Sequence, residues 1–283
     1  MKETRAEHLS ISKLHPFDGH PFKVVDNEEM DQLTWSILTQ GLLTPLVVRP
    51  LDNGEYEVIS GHRRLHACKK AGIETVPALI YAIDRDAAAI ALVDSNLQRE
   101  HILPSEKAYA YKLKMEALKR QGKRTDLTST QPVSKLRTNE IIGEASGESR
   151  ETVRRFICLT NLIPGILQMV DEGKIALTPA VELSYLTDAE QEDLLETMES
   201  EDCTPSLSQA IQMKALSQTS QLNMDTIFHI MTQPKANQRE KISFRTDEVR
   251  KFFPKNYTLA QIQEIILKLL GEYQRKRQRE QER

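Results

Sequence analysis

Cysteine is scarce in this 283-residue chain: three in all, Cys68, Cys158 and Cys203. They stand far apart and form no Cys-x-x-Cys pair, which excludes a disulfide frame and a cysteine-based zinc site and suits a reducing compartment. Long uncharged apolar runs are also missing, and the first residues, Met1-Lys2-Glu3-Thr4-Arg5, open no apolar signal segment. The expectation is a soluble, cytoplasmic protein with no membrane partner. Nor does one sign of charge dominate. With 38 Lys and Arg against 41 Asp and Glu the net charge is −3, so any nucleic-acid binding must come from local patches. The length suggests about two domains, with room for a third small one.

What is present centres on residues 58–71. Val58 and Ile59 are β-branched and follow the turn signal Asp52-Asn53-Gly54. Gly61 then allows a sharp bend, and Arg63, Arg64, Leu65, Ala67, Cys68 and Lys69 suit a helix that Gly72 can end. A helix N-terminus carries free N–H groups and the positive end of the dipole. Two arginines placed there add forked donors shaped for phosphate oxygens. The pattern gives either a polyphosphate site or a solvated basic helix start. A second polar window, Asp94-Ser95-Asn96-Leu97-Gln98-Arg99-Glu100, closes an apolar helical run at 87–93. Its carboxylate, amides and arginine suit a metal ion, a base, a ribose or a phosphate.

Around these windows the pattern alternates short strands and helices, an α+β module. Leu9, Ile11 and Leu14 suggest an opening strand, and residues 15–22, with His15 and His20, a turn-rich loop. Asp26 is expected to cap a helix with Glu29 at the capping-box position. Met30, Leu33, Ile37 and Leu38 would form that helix's buried face, and Trp35 would cover an edge of it. Strands are expected at 46–49, 55–59 and 76–81, the first two joined as a hairpin. Asp84 caps a helix through 93, and Pro104 opens one over 105–121 with Tyr109, Leu113, Met115 and Leu118 among its apolar positions. Residues 122–137, with Lys123, Arg124, Lys135 and Arg137, have the composition of a basic flexible loop: a sequence-independent phosphate contact or a solvated linker.

Residues 138–157 carry helix-turn-helix spacing. Ile141, Ile142 and Ala145 pack the first helix, and Gly147 makes the turn. Ser149 caps the second helix, whose Val153, Phe156 and Ile157 face inward. Arg150, Thr152, Arg154 and Arg155 are left outward, where arginine reads guanine edges. Glu144, Glu148 and Glu151 weaken the local positive field. Short helices continue to residue 186, followed by helices at 188–201 and 207–216. A short strand is expected at 242–244, a short helix at 247–253, and an amphipathic helix at 259–274 with Ile262, Ile265, Ile266, Leu269 and Leu270 on one side.

Three blocks in order resemble the N-terminal domain of ParB-type partition proteins: 41–49 (Gly-Leu-Leu-Thr-Pro-Leu-Val-Val-Arg), Gly61-His62-Arg63-Arg64, and Asn96-Leu97-Gln98-Arg99. The resemblance covers about residues 8–115 and, with the helix-turn-helix, extends to about 190. It implies a ParB/sulfiredoxin-like nucleotide-binding domain (1–100), an all-α helix-turn-helix domain (101–200), and a linker with a small, mainly helical C-terminal interaction module (201–283). It also implies CTP and Mg²⁺ as cofactors. Gly61, His62, Arg63 and Arg64 would approach the phosphates, with Asn96, Gln98 and Arg99 completing the pocket and Asn96 meeting the metal. Thr44 and Pro45 would shape the base side. Ser149, Arg150, Thr152, Arg154, Arg155, Lys123 and Arg124 would face double-stranded DNA at a centromere-like site. A homodimeric clamp, a ParA-like Walker ATPase partner and a nucleoid-associated location follow from the same resemblance.

Departures matter. The family usually carries acidic residues where His62 and Ser95 stand, so slow or absent CTP hydrolysis is expected, with Asp94 a substitute only if the helix end shifts. The usual Gly-His-x-Arg element is replaced by Leu177-Thr178-Pro179-Ala180-Val181, which puts the usual DNA sequence in doubt and favours a plasmid or mobile element. A helix-turn-helix regulator without nucleotide function and a small-molecule kinase on the same fold are the alternatives. A sulfiredoxin-like enzyme would need a cysteine in the Ser60-Gly61-His62-Arg63 turn.

Overall fold

The fold is that of a computed structural model, which describes residues 4–99, 101–126, 142–143, 146–233, 249, 251–254 and 257–281. Residues 1–233 form one compact unit and 234–283 a second. The expected strand at 242–244, residues 247, 248 and 250 of the expected helix at 247–253, and Lys135, Arg137, Ile141, Glu144 and Ala145 lie outside the described residues.

Among the described residues the N-terminal part is a mixed five-stranded sheet in the order β1-β5-β3-β4-β2. The strands are β1 (Thr4–Ser10), β2 (Leu14–Pro16), β3 (Leu46–Pro50), β4 (Tyr56–Ser60) and β5 (Thr75–Tyr81). β1 runs antiparallel to β5, β3 parallel to β5 and antiparallel to β4, and β2 parallel to β4. The single opening strand expected from Leu9, Ile11 and Leu14 is therefore two strands on opposite edges. Leu9 and Leu14 are five apart, so one straight strand would point them to opposite faces. The 3-10 turn Ile11–Lys13, tied by the Ile11 N–H to the Glu74 carbonyl (2.9 Å), lets both enter one core.

Helix α1 (Glu28–Gln40) is capped by Asn27, whose side chain accepts the Met30 N–H at 3.1 Å. The expected cap, Asp26, instead pairs with His66 (3.1 Å) and Lys70 (3.4 Å) of α2 (His62–Lys70), and Glu29 pairs with Arg63. The buried stripe of α1 is Met30, Thr34 and Ile37, with Leu33 half-buried. Leu38, expected on that face, and Trp35, expected to cover its edge, are 60% and 68% exposed. Thr34 is accommodated inside because its hydroxyl donates to the Met30 carbonyl at 2.8 Å.

Helix α3 (Arg85–Asn96) is capped by Asp84, which accepts the Ala87 N–H at 2.8 Å. It packs on α4 (Pro104–Asp126) through two ion pairs with one buried member each: Lys114 to Asp94 (2.5 Å) and Arg120 to Asp86 (2.7 Å). α4 is longer than the sequence suggested. Gly122, Lys123 and Arg124, read as flexible loop, are its last turns. Lysine and arginine are good helix formers, and one interior glycine costs only about 1 kcal/mol. On α4 the buried face is Ala108, Ala110, Tyr111, Lys114 and Ala117, while Tyr109 is exposed.

The rest of the first unit is helical: α5 (Arg150–Cys158), α6 (Pro164–Asp171), α7 (Leu177–Leu183), α8 (Asp188–Ser200), α9 (Leu207–Gln218) and α10 (Met224–Thr232). One apolar cluster joins them, including Leu159, Ile166, Leu183, Leu194, Met213 and Ile227. Residues 207–232, assigned from sequence to the C-terminal module, thus share the core of the helical part. α10 was not anticipated at all. Asn223 caps it reciprocally with Thr226, and the Gln209 amide, 5% exposed, donates to its Ile230 carbonyl at 2.7 Å. In the second unit α11 (Leu259–Gln281) continues well past residue 274; Ile262 is buried and Leu269 and Leu270 are exposed.

Because Ile227 is fully buried in the same cluster as Leu159 and Leu194, Ile227→Ala is expected to cost the first unit about 2–5 kcal/mol. In a urea titration its loss should move the unfolding of the whole helical part; a transition shifted only for residues after 201 would contradict the shared core.

Candidate anion pocket and helix-turn-helix

The pocket begins where β4 hands over to α2. Gly61 sits at φ +105°, at the N-cap of α2. A Cβ there would lie 2.6 Å from Leu46 Cδ2 and 3.0 Å from an Arg64 nitrogen. Leu46 is fully buried, so space and backbone angle both select glycine. The two arginines that follow behave differently. Arg64 Nη1 donates to the carbonyls of Thr44 (2.6 Å) and Pro45 (3.0 Å), clamping the loop between α1 and β3. Burial holds its guanidinium below the ordinary arginine range. Arg63 reaches across to Glu29 at 3.0 Å in a pair that is exposed on both sides, which costs little to exchange for another anion.

His62 is tied down by the preceding loop. The Phe17 N–H donates to its Nε2 at 3.4 Å, and its ring lies tilted at 43° against His20 with centroids 3.7 Å apart. Burial, followed by the nearby His20 and Arg99, pushes the His62 imidazole down to about 3, against a smaller opposing contribution from the Val58 carbonyl. His62 is therefore neutral at physiological pH. His20 donates from Nδ1 to the Phe22 carbonyl (2.7 Å). Arg99, from the turn after α3, lies over the Phe22 ring at 5.5 Å. Its guanidinium is held below the usual range first by burial; Glu106 opposes this and Arg63 adds to it. Glu106 accepts the backbone N–H groups of Lys23 (2.8 Å) and Leu103 (3.2 Å).

Gly61, His62, Arg63, Arg64, Thr44, Pro45 and Arg99 thus meet at one end of α2. Asn96 is buried at the end of α3, its amide nitrogen donating to the Leu92 carbonyl (2.7 Å) and to Ser95 Oγ (3.3 Å). Gln98 is exposed in the turn that follows. Asp94 is committed to Lys114 on the α4 side. Among the described residues no three His, Cys, Asp or Glu side chains gather as a metal cluster. Sequence reasoning missed His20, Phe22 and Glu106. A signal was available: His15-Pro16-Phe17 and His20-Pro21-Phe22 repeat the same tripeptide, and both phenylalanines are buried.

The helix-turn-helix is legible at its second helix. Ser149 caps α5 by accepting the Thr152 N–H at 3.1 Å, and Val153 is fully buried. Arg150, Arg154 and Arg155 are exposed, with Thr152 half-buried. Glu148, read as weakening the local field, is instead held by Lys107 and accepts the Tyr111 hydroxyl at 3.0 Å. Glu151 pairs loosely with Arg154 at 3.7 Å. Burial pushes the Tyr111 phenol up to about 12, so it stays a donor. The turn is fastened to α4 by this cluster, and of the first helix Ile142 is fully buried.

An α+β module with a cationic strand-to-helix pocket, compact with a helix-turn-helix bundle, defines the class. Residues 1–97 match the ParB N-terminal domain family. The probable chromosome-partitioning protein ParB of Vibrio cholerae is 31% identical over 243 residues, covering 86% of this chain and 77% of that protein. Stage 0 sporulation protein J of Bacillus subtilis is 32% identical over 177 residues, 62% of this chain and 56% of that one. A crystal structure of C-terminally truncated ParB from Caulobacter crescentus complexed to the centromeric parS site is 24% identical, covering 75% of this chain and 99% of that chain at a TM-score of 0.43. The chain belongs to the ParB family of partition proteins.

Two outcomes follow from the pocket. Gly61→Ala is expected to cost about 1–3 kcal/mol, from strain at positive φ and overpacking against Leu46; a thermal midpoint equal to wild type would contradict this. The His62 imidazole is depressed in the folded chain and ordinary (near 6.5) in the unfolded one. The unfolded state then binds the extra proton, so stability is lost as pH falls from about 6.5 towards 3. Urea midpoints in His62→Gln should fall less steeply over that window.

Proposed function

We propose that this chain is a DNA-binding partition protein that binds a centromere-like DNA site and holds CTP at the head of α2. The observation that carries the nucleotide reading is that Arg63, in the first turn of α2, and Arg99, from the turn after α3, lie near enough for their charges to interact, beside the helix N-terminus that Gly61 opens. Two guanidinium groups near a helix N-terminus suit a polyphosphate. Arg63 would exchange Glu29 for phosphate. Arg64 would act by positioning, holding the Thr44 and Pro45 carbonyls that border the base. Asn96 would offer Oδ1 to Mg²⁺, since its nitrogen is used by the helix; an amide oxygen is a donor that hard cation accepts. Mg²⁺ bound with the nucleotide would offset phosphate charge. Gln98 would close the open side.

Hydrolysis is expected to be slow or absent. Of the two positions usually acidic in the family, His62 is a weak base whose Nε2 lone pair accepts the Phe17 N–H and Ser95 carries no carboxylate, while the neighbouring Asp94 is held by Lys114. DNA would be met by α5, with Arg150 and Arg155 reaching base edges or phosphates, Arg154 and Thr152 beside them, and Lys123 and Arg124 on the last turns of α4 adding phosphate contacts. A homodimeric clamp, a ParA-like Walker ATPase and a DNA-associated location belong to the same proposal. Among the described residues no helix is long and apolar enough to cross a membrane.

The test is equilibrium binding of labelled CTP, with ATP and GTP as competitors. Selective binding that Arg63→Ala weakens at least tenfold is expected; no nucleotide binding under any condition would leave a helix-turn-helix regulator on this scaffold, and phosphorylation of a small molecule would favour a kinase. For DNA, Arg150→Ala should cost about 1–3 kcal/mol at a specific site. Equal loss on unrelated DNA would make it a phosphate contact only.

A further inference from the structure

His20 is the group in the pocket that nothing above uses. Its Nδ1 donates to the Phe22 carbonyl at 2.7 Å, which fixes the ring. That leaves Nε2, a buried nitrogen with no hydrogen-bond partner among the described residues. A buried polar atom without a partner costs free energy unless a ligand or solvent satisfies it. The ring lies tilted against His62 of the head of α2, with centroids 3.7 Å apart, and near enough to Arg99 for their charges to interact, as Arg99 is to Arg63.

We infer that His20 is a third cationic donor of this pocket: it takes a proton from solvent when a polyphosphate binds, and its Nε2–H then donates to a phosphate oxygen. This rests on the nucleotide reading given above and names a residue that reading leaves out. The chemistry selects an anion over a hydroxyl. A ribose hydroxyl would satisfy the neutral lone pair but would draw nothing from two guanidinium groups. A phosphate satisfies all three cations and supplies the charge that makes protonation favourable.

The charged and titratable groups facing His20 are His62 of α2, Arg99 after α3, with Arg63 beside it, and Glu106 of α4. In the free protein, burial above all holds His20 below the usual histidine range; the Phe22 carbonyl and Glu106 oppose this, and Arg99 adds to it. A phosphate between Arg99 and His20 reverses the local charge and raises the imidazole. The sign follows. Binding is tightest below the free-state value, weakens as pH rises between the free and bound values, and levels off above the bound one. Each unit separating the two is worth about tenfold in affinity.

The experiment is calorimetric titration of CTP into the full chain between pH 6 and 8, in two buffers of different ionisation enthalpy, for wild type, His20→Gln and Arg63→Ala. Wild type should take up more protons per CTP than His20→Gln, by a difference approaching one. Its affinity should also fall about tenfold more than that of His20→Gln over the pH range. Equal proton uptake by wild type and His20→Gln would overturn the inference, placing the proton on the nucleotide. Weaker binding by His20→Gln without a change in protons would overturn it in favour of a neutral hydroxyl contact. Binding by wild type that Arg63→Ala abolishes and His20→Gln leaves untouched sinks the inference alone, whereas no heat with wild type removes the nucleotide reading with it. The His20 imidazole carbon resonances, followed in unsubstituted protein at pH 7, give an independent answer: a move to the imidazolium position on adding CTP is expected, and an unmoved signal would contradict it.

Discussion

The contact between Gly61 and Leu46 is the constraint on which the pocket depends. β4 and β3 are neighbours in the sheet, and the chain leaves β4 over a buried leucine of β3. Only a residue without a Cβ passes there at φ +105°. That passage aims the first turn of α2 at the loop before β3. Arg64 then reaches back to the Thr44 and Pro45 carbonyls, so one arginine is spent on holding the wall and the other stays movable. A pocket built this way separates rigidity from binding: the clamp uses backbone carbonyls, and the exchangeable pair is exposed.

Charge is organised in the same spirit across the first unit. Lys114 and Asp86 are buried, and each has a partner on the adjoining helix; leaving either unpaired would be strongly destabilising. Glu148 joins the helix-turn-helix to α4 through Lys107 and Tyr111. Asp171 of α6 accepts both the Ser105 N–H (2.9 Å) and the Ser105 hydroxyl (2.6 Å) at the start of α4, while Glu106, one residue on, accepts from the loop that carries His20 and Phe22. α4 is therefore the shared beam of the unit, bonded to the pocket loop, to α3, to α6 and to the helix-turn-helix. A near-neutral chain can hold a cationic pocket because acidic groups such as Asp26, Asp94 and Glu148 are paired with lysines outside it.

Much of the architecture was readable from residues alone. Strands at 46–50, 56–60 and 75–81 follow β-branched runs and the Asp-Asn-Gly turn, and α2, α3 and α5 follow their caps and apolar spacing. The α+β class rests on the alternation of short strands and helices and the ParB resemblance on the ordered blocks, and the family comparison agrees with both. The misreadings share one cause. Asp26 and Asn27 are both good caps, and what decided between them was that His66 and Lys70, forty residues on, take Asp26. Trp35 and Leu38 follow an apolar pattern, yet the sheet covers only the Met30–Thr34–Ile37 stripe. α10 has no long periodic run, and only the surrounding cluster makes its Ile227 a core residue.

The sequence by itself determined what depends on neighbours a few residues apart: turns, caps, helical and strand periods, and the glycine at the head of α2. Tertiary structure alone decided which charged and polar groups were already engaged. Arg64 holds carbonyls, Asp94 holds Lys114 and Glu148 holds Lys107, whereas His20 keeps a buried nitrogen with no partner among the described residues. The physical reason is range. Backbone preference and capping are set within a turn or two, but the state of a charge is set by burial and by partners that any part of the chain can bring within a few ångströms.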